Sequence, residues 1–239
     1  TTDISTRDSN LPANADVPDG FDQSDISVPF VQLVQSSSEA VKQRKAQPGA
    51  FLSSDGATTD AIDFVALHIQ PVRDFYDKEG QKNICSSNDR VTGYTKDLDF
   101  FRNEGGIDLA EGDTMACAQC PFANGPVAPK LGCYKGYVMT ALNLETEEPF
   151  MMRIRSTAVR PFKDRIISAY VRGKAQPWAR QYQMTAVLTK SQQGFSWFMP
   201  SLEPTKAFSD EEHGEWAAYA AGFGGVAVKH EDADPLPFD

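Results

Sequence analysis

Four cysteines, Cys85, Cys117, Cys120 and Cys133, fall within 49 residues, and the chain of 239 residues holds no others. Such a cluster has two chemical outlets, disulfides or a metal ion, and either one can tie down a stretch that lacks a core. Cys117-Ala-Gln-Cys120 is a C-x2-C knuckle, the spacing at which two thiolates of one tight turn meet a single tetrahedral ion. Cys133 follows the Pro- and Gly-rich loop PFANGPVAPKLG, and Cys85 precedes the knuckle in NICSSND. Four thiolates fill a zinc tetrahedron and leave no position for water, so the expected site is one structural Zn²⁺ on these four residues. A redox knuckle usually opens a helix after a strand, whereas Pro121 and a loop follow here. A four-iron cluster accepts the same thiolates and stays open as an alternative. Cysteines used this way suit a reducing compartment, and a cytoplasmic location is expected.

Around the cysteines the pattern is mostly that of strands. Residues 1–25 are rich in Asp, Pro, Asn and Ser and read as a disordered acidic arm with no apolar h-region, so no signal peptide is expected. The ordered domain is expected over 26–225, with the cysteine insertion at about 77–135, and an acidic tail over 226–239. Ile62–Val72, Gly136–Leu144, Pro149–Ser156, Tyr182–Thr189 and Gly194–Pro200 alternate as strands, the last four as two hairpins. Thr157–Arg172 reads as a helix, with Phe162, Ile166 and Tyr170 on its apolar stripe. Ser209 to Glu212 forms a capping box that opens a C-terminal helix. Insertion 85–133 shows little periodicity and reads as an excursion without a core. Together these features predict a mainly β (α+β) chain: an OB-like small barrel with a zinc-binding insertion, a mid-chain helix between two hairpins, and a C-terminal helix. An antiparallel α+β sheet is the competing arrangement.

The net charge of −10 is unevenly spread. Residues 151–208 hold ten basic and two acidic side chains, whereas residues 209–239 hold one basic and eight acidic ones. A basic module beside an acidic end suggests a polyanion site. Aromatic residues interleave with these cations, the mixture that single-stranded nucleic acid requires: cations for phosphates and rings for bases. The expected contacts are Arg153, Arg155, Arg172, Lys174, Trp178, Arg180 and Phe198, with Trp178 the foremost stacking ring. No P-loop, nucleophile elbow, H-E-x-x-H or zinc-deaminase motif occurs, and the paired carboxylates lie in polar loops. The chain is therefore expected not to be an enzyme. The alternatives are a metal-dependent nuclease or annealing protein, and a zinc-ribbon accessory factor that binds RNA or a polymerase.

The tail EDADPLPFD resembles the acidic, Pro-Phe-ended tips of bacterial and phage single-stranded-DNA-binding proteins, though here one further residue, Asp239, follows the Phe. The body, from ISVPFVQLVQSSSEAVKQ and PGAF through C-S-S-N-D, C-x2-C-P and Cys133, is similar to zinc-containing phage proteins of that role. This resemblance implies single-stranded DNA as ligand, action in phage replication or recombination, and a host-cell cytoplasmic setting. It also implies that Asp232, Asp234, Pro237 and Phe238 recruit replication or recombination proteins. Homo-oligomers are compatible with it, and a membrane is not expected.

Overall fold

Phe150, Met152 and Ile154 alternate with half-buried Met151 and Arg153 along a single strand, and that period of two recurs through the chain. The computed structural model describes residues 28–77, 82–110, 112–123, 131–172 and 175–223. Its first elements are β1 (Phe30–Leu33), α1 (Glu39–Lys42), β2 (Phe51–Ser53), β3 (Thr58–Thr59) and β4 (Ala61–Asp77). The cysteine region supplies β5 (Lys82–Ser87), β6 (Thr92–Thr95), α2 (Leu98–Gly105) and β7 (Thr114–Ala116). A hairpin of β8 (Leu131–Asn143) and β9 (Pro149–Ile154) leads into an irregular helical run over 156–171, within which lie α3 (Val159–Phe162) and α4 (Ser168–Val171). A second hairpin, β10 (Arg180–Lys190) and β11 (Ser196–Ala207), precedes α5 (Asp210–Phe223).

These strands form one mixed sheet in the order β3-β2-β1-β9-β8-β4-β5-β6-β7, with β10 branching from β4 and β11 pairing with β10 alone. β1 runs parallel to β9, and the other described ladders are antiparallel. The fold is thus mainly β with few helices, and its described ladders leave the sheet open. β4 organises it. This 17-residue strand pairs with β10 through Ala61–Val65 and with β5 through Arg73–Asp77, while β8 runs along its other edge.

Three of the apolar clusters among the described residues matter for the site. The main core gathers Phe64, Ala66, Met139, Phe150, Met152, Ile154, Phe162, Ile166, Tyr182, Met184 and Leu202, so both hairpins and the helical run share one interior. Burying each such large side chain contributes roughly 1.5–3 kcal/mol. A second cluster docks Trp216 and Ala220 of α5 onto Val65, Leu67 and Leu142. The third holds Phe75, Ile84, Phe101 and Phe122. Its rings meet at centroid distances of 5.1 Å for Phe75–Phe122 and 5.5 Å for Phe101–Phe122.

That third cluster corrects one expectation: the cysteine region has a core, and β5, β6 and β7 extend the main sheet rather than leaving it. Helix α2 is capped at both ends, by the Asp97 side chain accepting from the Phe100 amide and by Gly106 in the left-handed region. Tyr170, expected on the buried stripe, is exposed, while Phe162 and Ile166 are buried as expected. Pro161 supplies no N–H inside the helical run, which opens as a 3-10 turn and passes through a π turn at Lys163–Ile167, so the stripe drifts from ideal spacing. Among the described residues no helix is long and apolar enough to cross a membrane.

Candidate functional site

Cys85 on β5 and Cys133 on β8 are both register partners of Phe75 on the intervening β4, so all three side chains leave the same face of the sheet. The knuckle approaches from β7. The Cys117 amide donates to the Val91 carbonyl (2.7 Å), and the Ala123 amide donates to Cys120 O (3.1 Å), which folds the turn back over that face. All four cysteines are free thiols and line one cavity of about 20 Å³ together with Arg73, Phe75, Gly93 and Ala123. Gly93 makes room for them: a Cβ there would stand 3.0 Å from the Cys85 sulfur and 3.8 Å from that of Cys117.

Burial pushes the Cys85 thiol up to about 12, with the neighbouring Cys117, Cys120, Cys133 and Asp74 adding to the shift. Burial raises Cys120 and Cys133 as well, and the Arg73 guanidinium opposes the rise at both. The donor set and its common cavity fit a thiophilic cation. As the side chains stand, no three His, Cys, Asp or Glu groups among the described residues converge within ligating reach of one point. Closing a coordination sphere therefore requires the thiols to turn inward.

Arg153 and Arg155 project from the outer face of β9 toward Asp74 of β4, at 3.4 and 3.3 Å. Their side chains are only 9% and 19% exposed, and the carboxylate is 5% exposed. Burial pushes Arg153 down to about 10 against the favourable charge of Asp74, and it lowers Arg155 in the same way. This expected phosphate-contacting pair is thus engaged with an internal carboxylate. Arg172 is exposed at the end of the helical run, whereas Arg180 is half-buried and its Nε has no hydrogen-bond partner. Trp178 is half-buried against the α5 cluster. Phe198 is half-buried too, its ring on the backbone of Gly49, where a Cβ would come within 2.7 Å. Arg153, Arg155, Trp178 and Phe198 are thus each engaged, at least in part, with the protein's own residues. Lys174, Asp232, Asp234, Pro237 and Phe238 lie outside the described residues, as do the N-terminal arm and the tail.

A surface the sequence reading passed over lies at the β10–β11 hairpin. Phe195 is 70% exposed at its turn, and Val187 and Leu188 are 49% and 51% exposed on opposite faces of the adjoining strand. Lys190 stands beside them, exposed. Gln35, just past β1, donates from Nε2 to the Phe198 carbonyl (3.0 Å) and accepts from the Phe198 amide (2.9 Å). That clasp, with the Phe198 ring on Gly49, joins the hairpin to the 35–50 connection, which exposes Lys42, Arg44 and Lys45. The run Lys42-Gln-Arg-Lys45 was the available signal, hidden because residues 41–150 as a block are net acidic.

No known protein family, curated protein or solved structure matches this chain.

Proposed function

We propose that the chain is a non-enzymatic single-stranded-DNA-binding protein, acting in phage replication or recombination and steadied by a structural zinc ion on Cys85, Cys117, Cys120 and Cys133. The observation that carries the reading is the hairpin tip, where an exposed aromatic ring, Phe195, stands at the turn, with Leu188 and Lys190 exposed on one face of the adjoining strand and Val187 on the other. The hairpin is clasped to a connection that exposes Lys42, Arg44 and Lys45. An open ring stacks on a base for roughly 1–3 kcal/mol, and flanking cations follow the phosphates.

An OB-type reading of the fold supports this. β4, β8, β9, β10 and β11 follow one another as such a barrel's five strands do, with the helical run between the third and fourth. In that reading β1 would stand at the seam, since it runs parallel to β9 and Gln35 just past it holds β11. In OB barrels the loop between the last two strands is a ligand-binding element, and here that loop carries Phe195. The metal would take its four thiolates from β5, β8 and the knuckle, and its chemistry would be structural, bringing three segments to one point. The acidic tail is the proposed recruiter of replication or recombination partners, through Asp232, Asp234, Pro237 and Phe238.

The deciding experiment is a titration of the full chain with single- and double-stranded oligonucleotides over a range of salt, with and without Mg²⁺. The expected result is preference for single strands and a log–log salt slope of about −0.7 per phosphate contacted. Equal affinity for duplex, or strand scission with Mg²⁺, overturns the proposal.

A further inference from the structure

The geometry points to Arg73 as the charge-compensating and positioning residue of the four-cysteine metal site, a role that rests on the metal reading above. Arg73 lies two residues before Phe75 on β4, and so it shares the face from which Cys85 and Cys133 emerge. It lines the same cavity. Its Nη1 donates to the Ala123 carbonyl (3.3 Å), and the Ala123 amide in turn donates to Cys120 O, so the guanidinium holds the knuckle turn from beneath. The Arg73 Nε is buried and has no hydrogen-bond partner.

Among the described residues no carboxylate pairs with this cation, in contrast to Arg153 and Arg155, which share Asp74. A half-buried guanidinium that lines the four-cysteine cavity gains an opposite charge there once those sulfurs are thiolates. Four thiolates around a divalent ion carry a net charge of −2, which is costly away from water. Arg73 halves it. The guanidinium's planar fork has N–H groups to spare for sulfur while one stays on the Ala123 carbonyl, a division of contacts that a single ammonium reproduces less well. Arg73 thus supplies for the cysteines what a hydrogen-bonding partner supplies for a metal-bound histidine: it fixes the direction of the ligand and favours its ionised form.

The test uses the full chain and Co²⁺ as the probe, read through the thiolate-to-cobalt charge-transfer absorption and by competition with a chelator of known affinity. Wild type, Arg73→Gln and Arg73→Lys are compared, each also melted in excess chelator so that metal-free stability is measured separately. Loss of a partner of this kind typically weakens metal binding by about 10- to 100-fold. Arg73→Gln is expected to fall in that range with its metal-free melt unchanged, and Arg73→Lys, which keeps the charge, to recover most of the loss. Arg73→Gln binding Co²⁺ as tightly as wild type overturns the inference and leaves the metal reading standing. A lysine variant as weak as the glutamine one also overturns it, because charge is then not the agent. A wild type that binds no cobalt defeats the metal reading itself.

Discussion

Gln35 is the clearest place to test how the sheet holds together. It is not a member of a ladder, yet its amide presents one donor and one acceptor to Phe198 at 3.0 and 2.9 Å, as a paired strand residue would. Gln35→Leu keeps the volume and removes both bonds, leaving a part-buried N–H and C=O without partners. Two neutral hydrogen bonds contribute about 1–3 kcal/mol together, which is roughly 5- to 150-fold in a local opening equilibrium. The assay is amide hydrogen exchange under native conditions, which resolves opening segment by segment. The Phe198 amide is expected to lose protection within that range, while amides of Phe64, Met139 and Met184 in the main core keep theirs. Gln35→Glu retains the acceptor and sets a carboxylate against the Phe198 carbonyl, so it should be no better than the leucine variant. Unchanged protection at Phe198 would refute the clasp. An equal loss at every amide would refute its local character.

Asp74→Asn strands two buried guanidiniums and is expected to cost about 3–5 kcal/mol in urea denaturation, and a loss within 0.5 kcal/mol would mean the cluster is dispensable. Phe195→Ala is expected to weaken single-strand binding by roughly 1–3 kcal/mol at an unchanged salt slope, whereas Arg153→Ala, its charge already engaged, should leave the slope unaltered; the opposite ranking counts against the hairpin surface. Metal chelation should speed proteolysis between 85 and 133 while the cluster of Phe75, Ile84, Phe101 and Phe122 and the main core persist, and loss of the whole fold would show that the metal carries more than the knuckle. Glu212 is held down to about 2 by Lys206 and then by the Ser209 amide, so its contribution to α5 is complete above its ordinary value of 4.5 and fades as pH falls from there toward 2. Trp216 fluorescence should report that change, and Glu212→Gln should remove the transition.

What could be read beforehand follows the range of the forces involved. The hairpins β8–β9 and β10–β11 and the opening of α5 depend on neighbours within a few residues, and they stand where periodicity put them. The Ser209–Glu212 box forms as its spacing requires, with the Ser209 amide donating to Glu212 and the Glu212 amide to the Ser209 hydroxyl. Arg153 and Arg155 look like phosphate contacts in the sequence because their partner, Asp74, is 79 residues from the nearer one. The extent of β11 was missed because Pro200 and Pro204 look like breakers. The core of the cysteine region is hidden in the sequence because its phenylalanines come from three separate segments, at Phe75, Phe100–Phe101 and Phe122, with no period to betray them.

Those two prolines bear on how copies of the chain can meet. β11 has a partner on one side only, and a bare strand edge invites a second molecule to add its own backbone. Pro200 and Pro204 offer no N–H to such an intruder, and Glu203 and Lys206 place charge along the same margin. The other two margins of the sheet are β3 and β7, two and three residues long. β3 and β7 are thus short and β11 is blocked, which disfavours the addition of a further strand at those three margins. Copies meeting at those margins would touch through side chains, and such contacts can be made and released without rebuilding a ladder.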